Sequence, residues 1–381
     1  MSSYLWINPY ALAGAFSRHT FCSPYCKYGE KRHVFESQTR AEGVCMPENP
    51  VVNITMPVFN RYHATQRAIL ALRRTSQAIP FTLTVVDNGS DPDLVQKLVE
   101  FREGGIIDHL YLLPENMGIS CAANIGWQMM DAPFYMKLDN DIVIRERDWL
   151  PKLFKLWRHG ETLSNLGGAN SETTFWATPG AIHTPDGVLG RSVTHIQGQA
   201  ILIPKAVSDI LGLWSEDYGL YGAEDGDYGA RMNCVGFPQY HYLGPDIFDD
   251  LGHSDIDETY TAHNLDKRAE HRRLFIADDG GIGLFRVNYM FYDFCIRNWK
   301  VPLRYEIVDI YDKYHVRVKT REEYIPVMQA LQECTRLTDK LYREGIKEYT
   351  CDMIEKFKTI MGECGQQCTA ISAPAHAPFS S

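Results

Sequence analysis

Two carboxylates stand one residue apart in "YMKLDNDIVI", residues 135–144, where an apolar run gives way to Asp139, Asn140 and Asp141. In an extended chain, residues i and i+2 point to the same side. Two carboxylates so close resist joint ionisation unless a cation sits between them. Oxygen-only ligation favours a hard divalent ion, Mg²⁺ or Mn²⁺, which keeps open positions for phosphate oxygens. An isolated D-x-D is more often a solvated turn capping local amides; ending a buried strand favours the metal reading. A second acidic group, Glu224, Asp225 and Asp227, lies in "YGLYGAEDGDYGARM" at an apparent helix N-terminus. Acids there can simply oppose the helix dipole, or one can act as general base toward a hydroxyl. Trp214, Tyr218 and Tyr221 precede them and suit either stacking on a sugar ring or core packing. Asp87 in "VVDNGS" can accept from a base N–H or a ribose hydroxyl, or cap a plain turn. Asn116, Gly118 and Asn124 in "ENMGISCAANIG" surround a helix start, where free amides and the helix dipole suit a nucleotide or its phosphates.

Such groups need a scaffold to bring them together, and the periodicity supplies one. "VVNITMPVF", "FTLTVVDNGS", "IDHLYLLPE" and "PFYMKLD" are short strand-like runs, separated by helical stretches that follow residues 61, 91 and 118. Strands apolar on both faces alternating with helices predict an α/β fold, a mostly parallel central sheet flanked by helices. Ligands then sit beyond the carboxyl ends of the strands. Those ends carry Asn60-Arg61, Asp87-Asn88, Glu115-Asn116 and Asp139-Asn140-Asp141, so four polar loops converge on one rim. Residues 1–48 read as an N-terminal arm and 49–260 as the main domain, with halves 51–145 and 146–260. A mixed, then helical, C-terminal extension covers 261–368, and 369–381 read as a disordered tail. Within 146–260, "GGANSETTFWATPGAIHTPDGVLG" reads as loop, and "HIQGQAILIPKAV" as strand. From residue 320 an amphipathic helix shows Ile325, Met328, Leu331, Leu337 and Leu341 as its apolar stripe.

Composition narrows the classes. The chain has 381 residues, 45% hydrophobic and 23% charged, with a formal net charge of −10. No run of about 18 apolar residues predicts a membrane span. The N-terminus has no basic and apolar segments of a secretory signal, so a cytoplasmic protein with reduced, mostly buried thiols is expected. The acidic balance disfavours nucleic acid, although Arg268, Arg272 and Arg273 cluster in "RAEHRRLF". His19, Cys22, Cys26 and His33, and the later pair Cys364 and Cys368, have looser spacing than zinc ribbons and read as ordinary residues.

"ITMPVFNR", "TLTVVDNGS", "ENMGISCAANIGW", "YMKLDNDIVI", "GQAILIPKAV" and "GLYGAEDGDYGARMNCVGF" follow one another as in family 2 glycosyltransferases of the GT-A fold, which residues 51–255 resemble. The last stretch is also similar to the G-x-G-G-E-D-D-D region of galactosyltransferases. The resemblance implies that Asp87 binds base or ribose with the backbone of Pro57 and Val58, and that Asn60 and Asn140 join the donor side. It implies that Asp139 and Asp141 bring Mn²⁺ or Mg²⁺ to a donor diphosphate. It makes Asp225 the catalytic base, puts Glu224 on the acceptor with Tyr221 and Trp214, and gives the metal a late histidine, His253, with His241 as rival. The implied reaction is inverting transfer from a nucleoside diphosphate sugar to a hydroxyl acceptor, a glycan ahead of a lipid-linked or other one. Transfer to hydroxylated bases in DNA, a sugar-nucleotide nucleotidyltransferase and a catalytically dead glycan-binding module are the alternatives.

Overall fold

From residue 51 onward, apolar runs and amphipathic stretches fold in turn as strands and helices. The structure, a computed structural model, describes residues 51–75, 78–160, 164–168, 177–192, 195–242, 247–251, 282–346 and 349–362. The chain divides into two units, residues 1–49 and 50–381, and every described residue lies in the second. Its first half runs β1 (Val52–Val58), α1 (Tyr62–Arg73), β2 (Phe81–Asn88), α2 (Pro92–Glu103), β3 (His109–Leu113), α3 (Ile119–Met129), β4 (Phe134–Leu138), β5 (Ile142–Ile144) and α4 (Trp149–Arg158). Then come β6 (Asn165–Gly168), β7 (Ala177–Thr184), β8 (Gly187–Ser192), β9 (Ala200–Pro204), α5 (Lys205–Leu211), α6 (Glu224–Val235), β10 (Gln239–Tyr242) and β11 (Phe248–Asp250). The C-terminal part contains α7 (Ile282–Asp293), β12 (Tyr305–Tyr311), β13 (His315–Thr320), α8 (Ile325–Arg343) and α9 (Cys351–Gly362).

Among the described residues, eleven strands form one sheet in the order β12-β13-β3-β2-β1-β4-β9-β6-β10-β8-β7. The four strands read from the sequence, β3-β2-β1-β4, are its parallel centre. All seven residues of β1 are buried, as a strand covered on both faces requires. One face carries α1, α2 and α4 through Ile69, Leu98 and Leu153. The other carries α3, α5 and α6 through Trp127, Leu211 and Met232. Beyond β4 the sheet turns mixed, since β9 pairs antiparallel with both β4 and β6. β5 and β11 form a separate antiparallel pair beside the end of β4.

Three expectations change. The stretch read as loop between residues 167 and 190 contains β7, which pairs with β8 across the Pro185-Asp186 turn. The C-terminal extension supplies a hairpin to the sheet itself: β13 pairs parallel with β3, and Val316 is buried with Val86 and Leu113. α8 turns Val327, Ala330, Leu331 and Cys334 inward, while Ile325 is exposed. That inward face follows the i, i+3, i+4, i+7 rule, but its phase is set by contact with α7 and α9. Cys121 and Cys334 are buried as expected, whereas Cys295 and Cys351 are exposed. Among the described residues no helix is long and apolar enough to cross a membrane. The cysteine–histidine clusters at both ends and the "RAEHRRLF" arginines lie outside the described residues.

Candidate active site

The rim at the carboxyl ends of β1, β2, β3 and β4 is a cavity walled by Pro57, Val58, Arg61, Asn88, Asn116, Asp139, Asn140, Asp141, Gln199, Tyr221 and Asp250, among others. Asn60 and Arg61 leave β1 in the left-handed region, with φ of 53° and 59°. That sharp exit starts α1 and turns the Arg61 guanidinium toward Asp141, Nη1 lying 2.6 Å from Oδ2. Asn60 itself serves as a stitch. Its backbone N–H donates to Ser90 Oγ and its Oδ1 accepts from the Asp91 N–H, each at 2.8 Å. Asn140 donates to Thr65 Oγ1 at 2.7 Å, which holds the D-x-D loop against α1.

Asp139 and Asp141 do not face each other uncompensated. Lys137, fully buried on β4, donates to Asp139 Oδ1 at 2.6 Å and to the Gly198 carbonyl at 2.7 Å. Burial pushes the Asp139 carboxyl up to about 7, with Lys137 opposing and Asp141 adding to the shift. Asp250 of β11 reaches the same cavity, its Oδ2 accepting from Gln199 Nε2 at 3.1 Å. The donor set fits a hard divalent ion, being carboxylate oxygens on a shared wall. Among the described residues no three His, Cys, Asp or Glu side chains converge on one point. Asp139 and Asp141 are the described residues that would hold such an ion. His253 lies outside the described residues. The rival His241 is fully buried in β10, where burial and then neighbouring His195 push its imidazole down to about 4.

Asp87 is buried at the end of β2. Its Oδ2 accepts from the Gly89 and Ser90 N–H groups at 3.2 Å, and Oδ1 is buried without a partner among the described residues. Burial pushes its carboxyl up against those hydrogen bonds. A buried acceptor left over in this way is costly unless a ligand donates to it. Asn116 accepts from Asn88 Nδ2 at 2.8 Å, and both line the cavity.

The start of α3 departs from the expectation of free amides. The Met117 N–H donates to Asn88, that of Gly118 to Asn116, and that of Ile119 to the Leu220 carbonyl. Gly118 permits a close crossing: a Cβ there would collide with the Gly219 carbonyl oxygen. Asn124 is also not a donor-site residue. It is fully buried and spends its amide on Trp214 N, Trp214 O and Glu216 Oε1, at 2.8–3.0 Å. Trp214, read as an acceptor platform, is core, with ring centroids 5.6 Å from Trp127 and 4.8 Å from Tyr228. Both have the periodicity of a site and the surroundings of an interior, which sequence spacing cannot separate.

The three acids of α6 divide by burial. Asp227 is fully buried, paired with Arg231 Nε at 2.8 Å and accepting from Tyr218 and Tyr292 hydroxyls. It anchors α6 to α7. Glu224 is buried and accepts from the Gly222 N–H at 3.0 Å, closing the turn before the helix. Asp225 keeps a side chain 24% exposed, with His195 Nε2 3.9 Å away. Its Oδ1 accepts from the Gly226 N–H at 2.7 Å and its Oδ2 from the Gly198 N–H at 3.2 Å. Gly198 is the residue whose carbonyl holds Lys137, so Asp225 faces the Asp139 rim across a single residue. Tyr221 lines the cavity. Lys137, His195, Gly198, Gln199 and Asp250 were not singled out from the sequence. The signal available was Lys137, a charge two residues before Asp139 and hence on its side of the strand.

Glu216 links this region to the C-terminal hairpin by accepting from the Arg304 and Tyr305 N–H groups at 2.8 and 2.9 Å. Burial pushes its carboxyl up to about 7 despite those hydrogen bonds and that from Asn124. A carboxyl raised above its unfolded value binds its proton more tightly when folded, so its contribution is complete below the unfolded pKa and lost as pH rises through about 7. The melting temperature should therefore fall as pH goes from about 5 to about 8, and Glu216→Gln should flatten the slope. An unchanged slope in that variant, read by thermal scanning, would remove Glu216 as the cause.

Residues 53–204 match the family described as glycosyl transferase family 2. A search of the curated proteins finds no match. Similar solved structures include GalNAc-T7 with UDP, GalNAc and Mn²⁺, at 15% identity over 51% of this chain and 43% of that one, TM-score 0.41. The chain thus spans less than half of GalNAc-T7. Others are the mannosyltransferase PcManGT from Pyrobaculum calidifontis in complex with GDP-Man and Mn²⁺ (13% identity, 94% and 97% covered, TM-score 0.43) and S. aureus TarS 1–349 (14% identity, 83% and 91% covered, TM-score 0.41). The mixed sheet with its parallel centre and flanking helices is the α/β architecture expected from the sequence. The family match runs from β1 to β9, across the parallel centre and the D-x-D loop.

Proposed function

We propose that this chain transfers a sugar from a nucleoside diphosphate sugar to a hydroxyl of a glycan, with inversion at the anomeric carbon and Asp225 as general base. The observation that carries this reading is the placement of Asp225: partly exposed, and joined to the Asp139 rim through Gly198 and Lys137. Asp87 offers its spare Oδ1 to the base or ribose, and Pro57 and Val58 supply the adjoining wall. Asp139 and Asp141 would hold a divalent ion, Mn²⁺ or Mg²⁺, whose charge would favour departure of the nucleoside diphosphate. Arg61 adds a fixed positive charge to the same wall. Asp225 accepts the acceptor hydroxyl's proton as that oxygen attacks, and the Gly198 and Gly226 N–H groups hold its carboxylate in one orientation.

The reading is tested by incubating the protein with a panel of nucleoside diphosphate sugars and Mn²⁺. Released nucleoside diphosphate identifies the donor, and NMR reads the anomer of the freed sugar. Hydrolysis of one donor with inverted configuration is expected. Retained configuration would overturn the single displacement, and silence across the panel would overturn the donor class.

A further inference from the structure

A buried ammonium needs a reason. Lys137 sits in the fourth strand of the parallel centre with only 1% of its side chain exposed. An aliphatic side chain would fill a strand interior without the several kcal/mol that desolvating a charge costs. What offsets that cost is a set of acidic and carbonyl groups drawn from three separate segments. Asp139 and the Gly198 carbonyl accept from Nζ at 2.6 and 2.7 Å. Glu224 and Asp225 of α6 add their charges from the third segment.

Gly198 is the hinge of this set. A Cβ there would lie 3.3 Å from Lys137 Nζ and 3.4 Å from Asp225 Cβ, so its backbone packs closely against both lysine and base. Its carbonyl takes the lysine and its N–H donates to Asp225 Oδ2. Wherever the ammonium holds the Gly198 backbone, one of the two donors orienting Asp225 is held too.

We propose that Lys137 is a positioning residue of the transfer reaction: its buried ammonium clamps the donor-side carboxylate of Asp139 and, through the Gly198 backbone, fixes the orientation of Asp225. The inference rests on the roles given above to Asp139 and Asp225. One side chain thereby sets the spacing between the group that holds the donor and the group that takes the acceptor's proton. No proton is exchanged by Lys137 itself.

The test uses the full chain and the donor selected by the panel. Lys137→Met should lower kcat by about 10- to 100-fold, the usual cost of misaligning a reacting group. It should also weaken binding of uridine or guanosine diphosphate with Mn²⁺ in calorimetry, whichever of the two the native protein binds. Lys137→Arg, which keeps a cation, should recover part of both. At saturating donor, where the route through the base remains, the Lys137→Met/Asp225→Asn double variant should have a kcat no more than about twofold below that of Asp225→Asn alone. A merely structural role would instead multiply the two effects. If Lys137→Met does not fold, Lys137→Gln carries the same cycle, its carboxamide keeping a donor for the Gly198 carbonyl.

A native kcat in Lys137→Met, multiplying effects in the double variant, or an arginine no better than methionine would each overturn the inference. Its failure is separable from failure of the reading beneath it. A slow Asp225→Asn beside a native-rate Lys137→Met removes only the clamp; a native-rate Asp225→Asn removes the base assignment itself.

Discussion

Asp225→Asn should bind nucleoside diphosphate with Mn²⁺ as the native protein does, yet transfer sugar about 10²- to 10⁴-fold more slowly, the range a positioned general base supplies. The split follows from geometry. Asp225 is not part of the wall described for the donor cavity, so an isosteric change there leaves the donor's contacts intact. Its carboxylate is nevertheless turned toward the rim by two backbone donors, and asparagine keeps one acceptor oxygen for them. The substitution therefore removes proton affinity with little change of shape. Parallel measurement of kcat and of calorimetric affinity checks it. Near-native turnover would move the base to another residue, with His195, 3.9 Å from Asp225, next to be examined.

Asp139→Asn and Asp141→Asn should each lose Mn²⁺-dependent nucleotide binding and drop kcat/KM by about 10³-fold, equivalent to about 4 kcal/mol. Asparagine is the informative replacement. Asp139→Ala also strips Lys137 of its buried partner, and breaking a buried ion pair costs about 3–5 kcal/mol of stability. Such a variant would fail for two reasons at once. Asparagine keeps an oxygen for the lysine, or for Arg61 in the case of Asp141, and removes the charge a divalent ion needs. Calorimetry with and without Mn²⁺ and a thermal scan distinguish the two causes. The expected pattern is a small fall in melting temperature with no metal-dependent binding in the asparagine variants, and a larger fall in Asp139→Ala. Metal-dependent binding that survives in both asparagine variants would exclude the pair as ligands.

Some of this was legible in the residues and some was not. The four parallel strands showed because each is a short apolar run covered on both faces, and burial on both faces writes itself as an unbroken run. Their polar ends showed for the same reason, and Asp87, Asn116, Asp139, Asn140 and Asp141 do stand on or beside one rim. Asn124 and Trp214 sit in motifs of the same texture, yet they are locked to each other inside the protein. A side chain's partners come from distant segments, 90 residues apart in that case, and no local pattern carries that information. The hairpin β12–β13 was likewise invisible, because an edge pair with one wet face has a short, broken alternation that only pairing with β3 stabilises.

The sequence by itself determined the alternating α/β order, the parallel centre and the chemical types at the rim, since these depend on periodicity and on neighbours along the chain. Only the tertiary structure decided which acid of the Glu224-Asp225-Asp227 cluster stays partly exposed and which are buried. Only it brought Lys137, Gly198 and Asp225 into one chain of hydrogen bonds. The physical reason is that burial and charge pairing are settled by contacts between segments, and those contacts exist only once the sheet has closed around them.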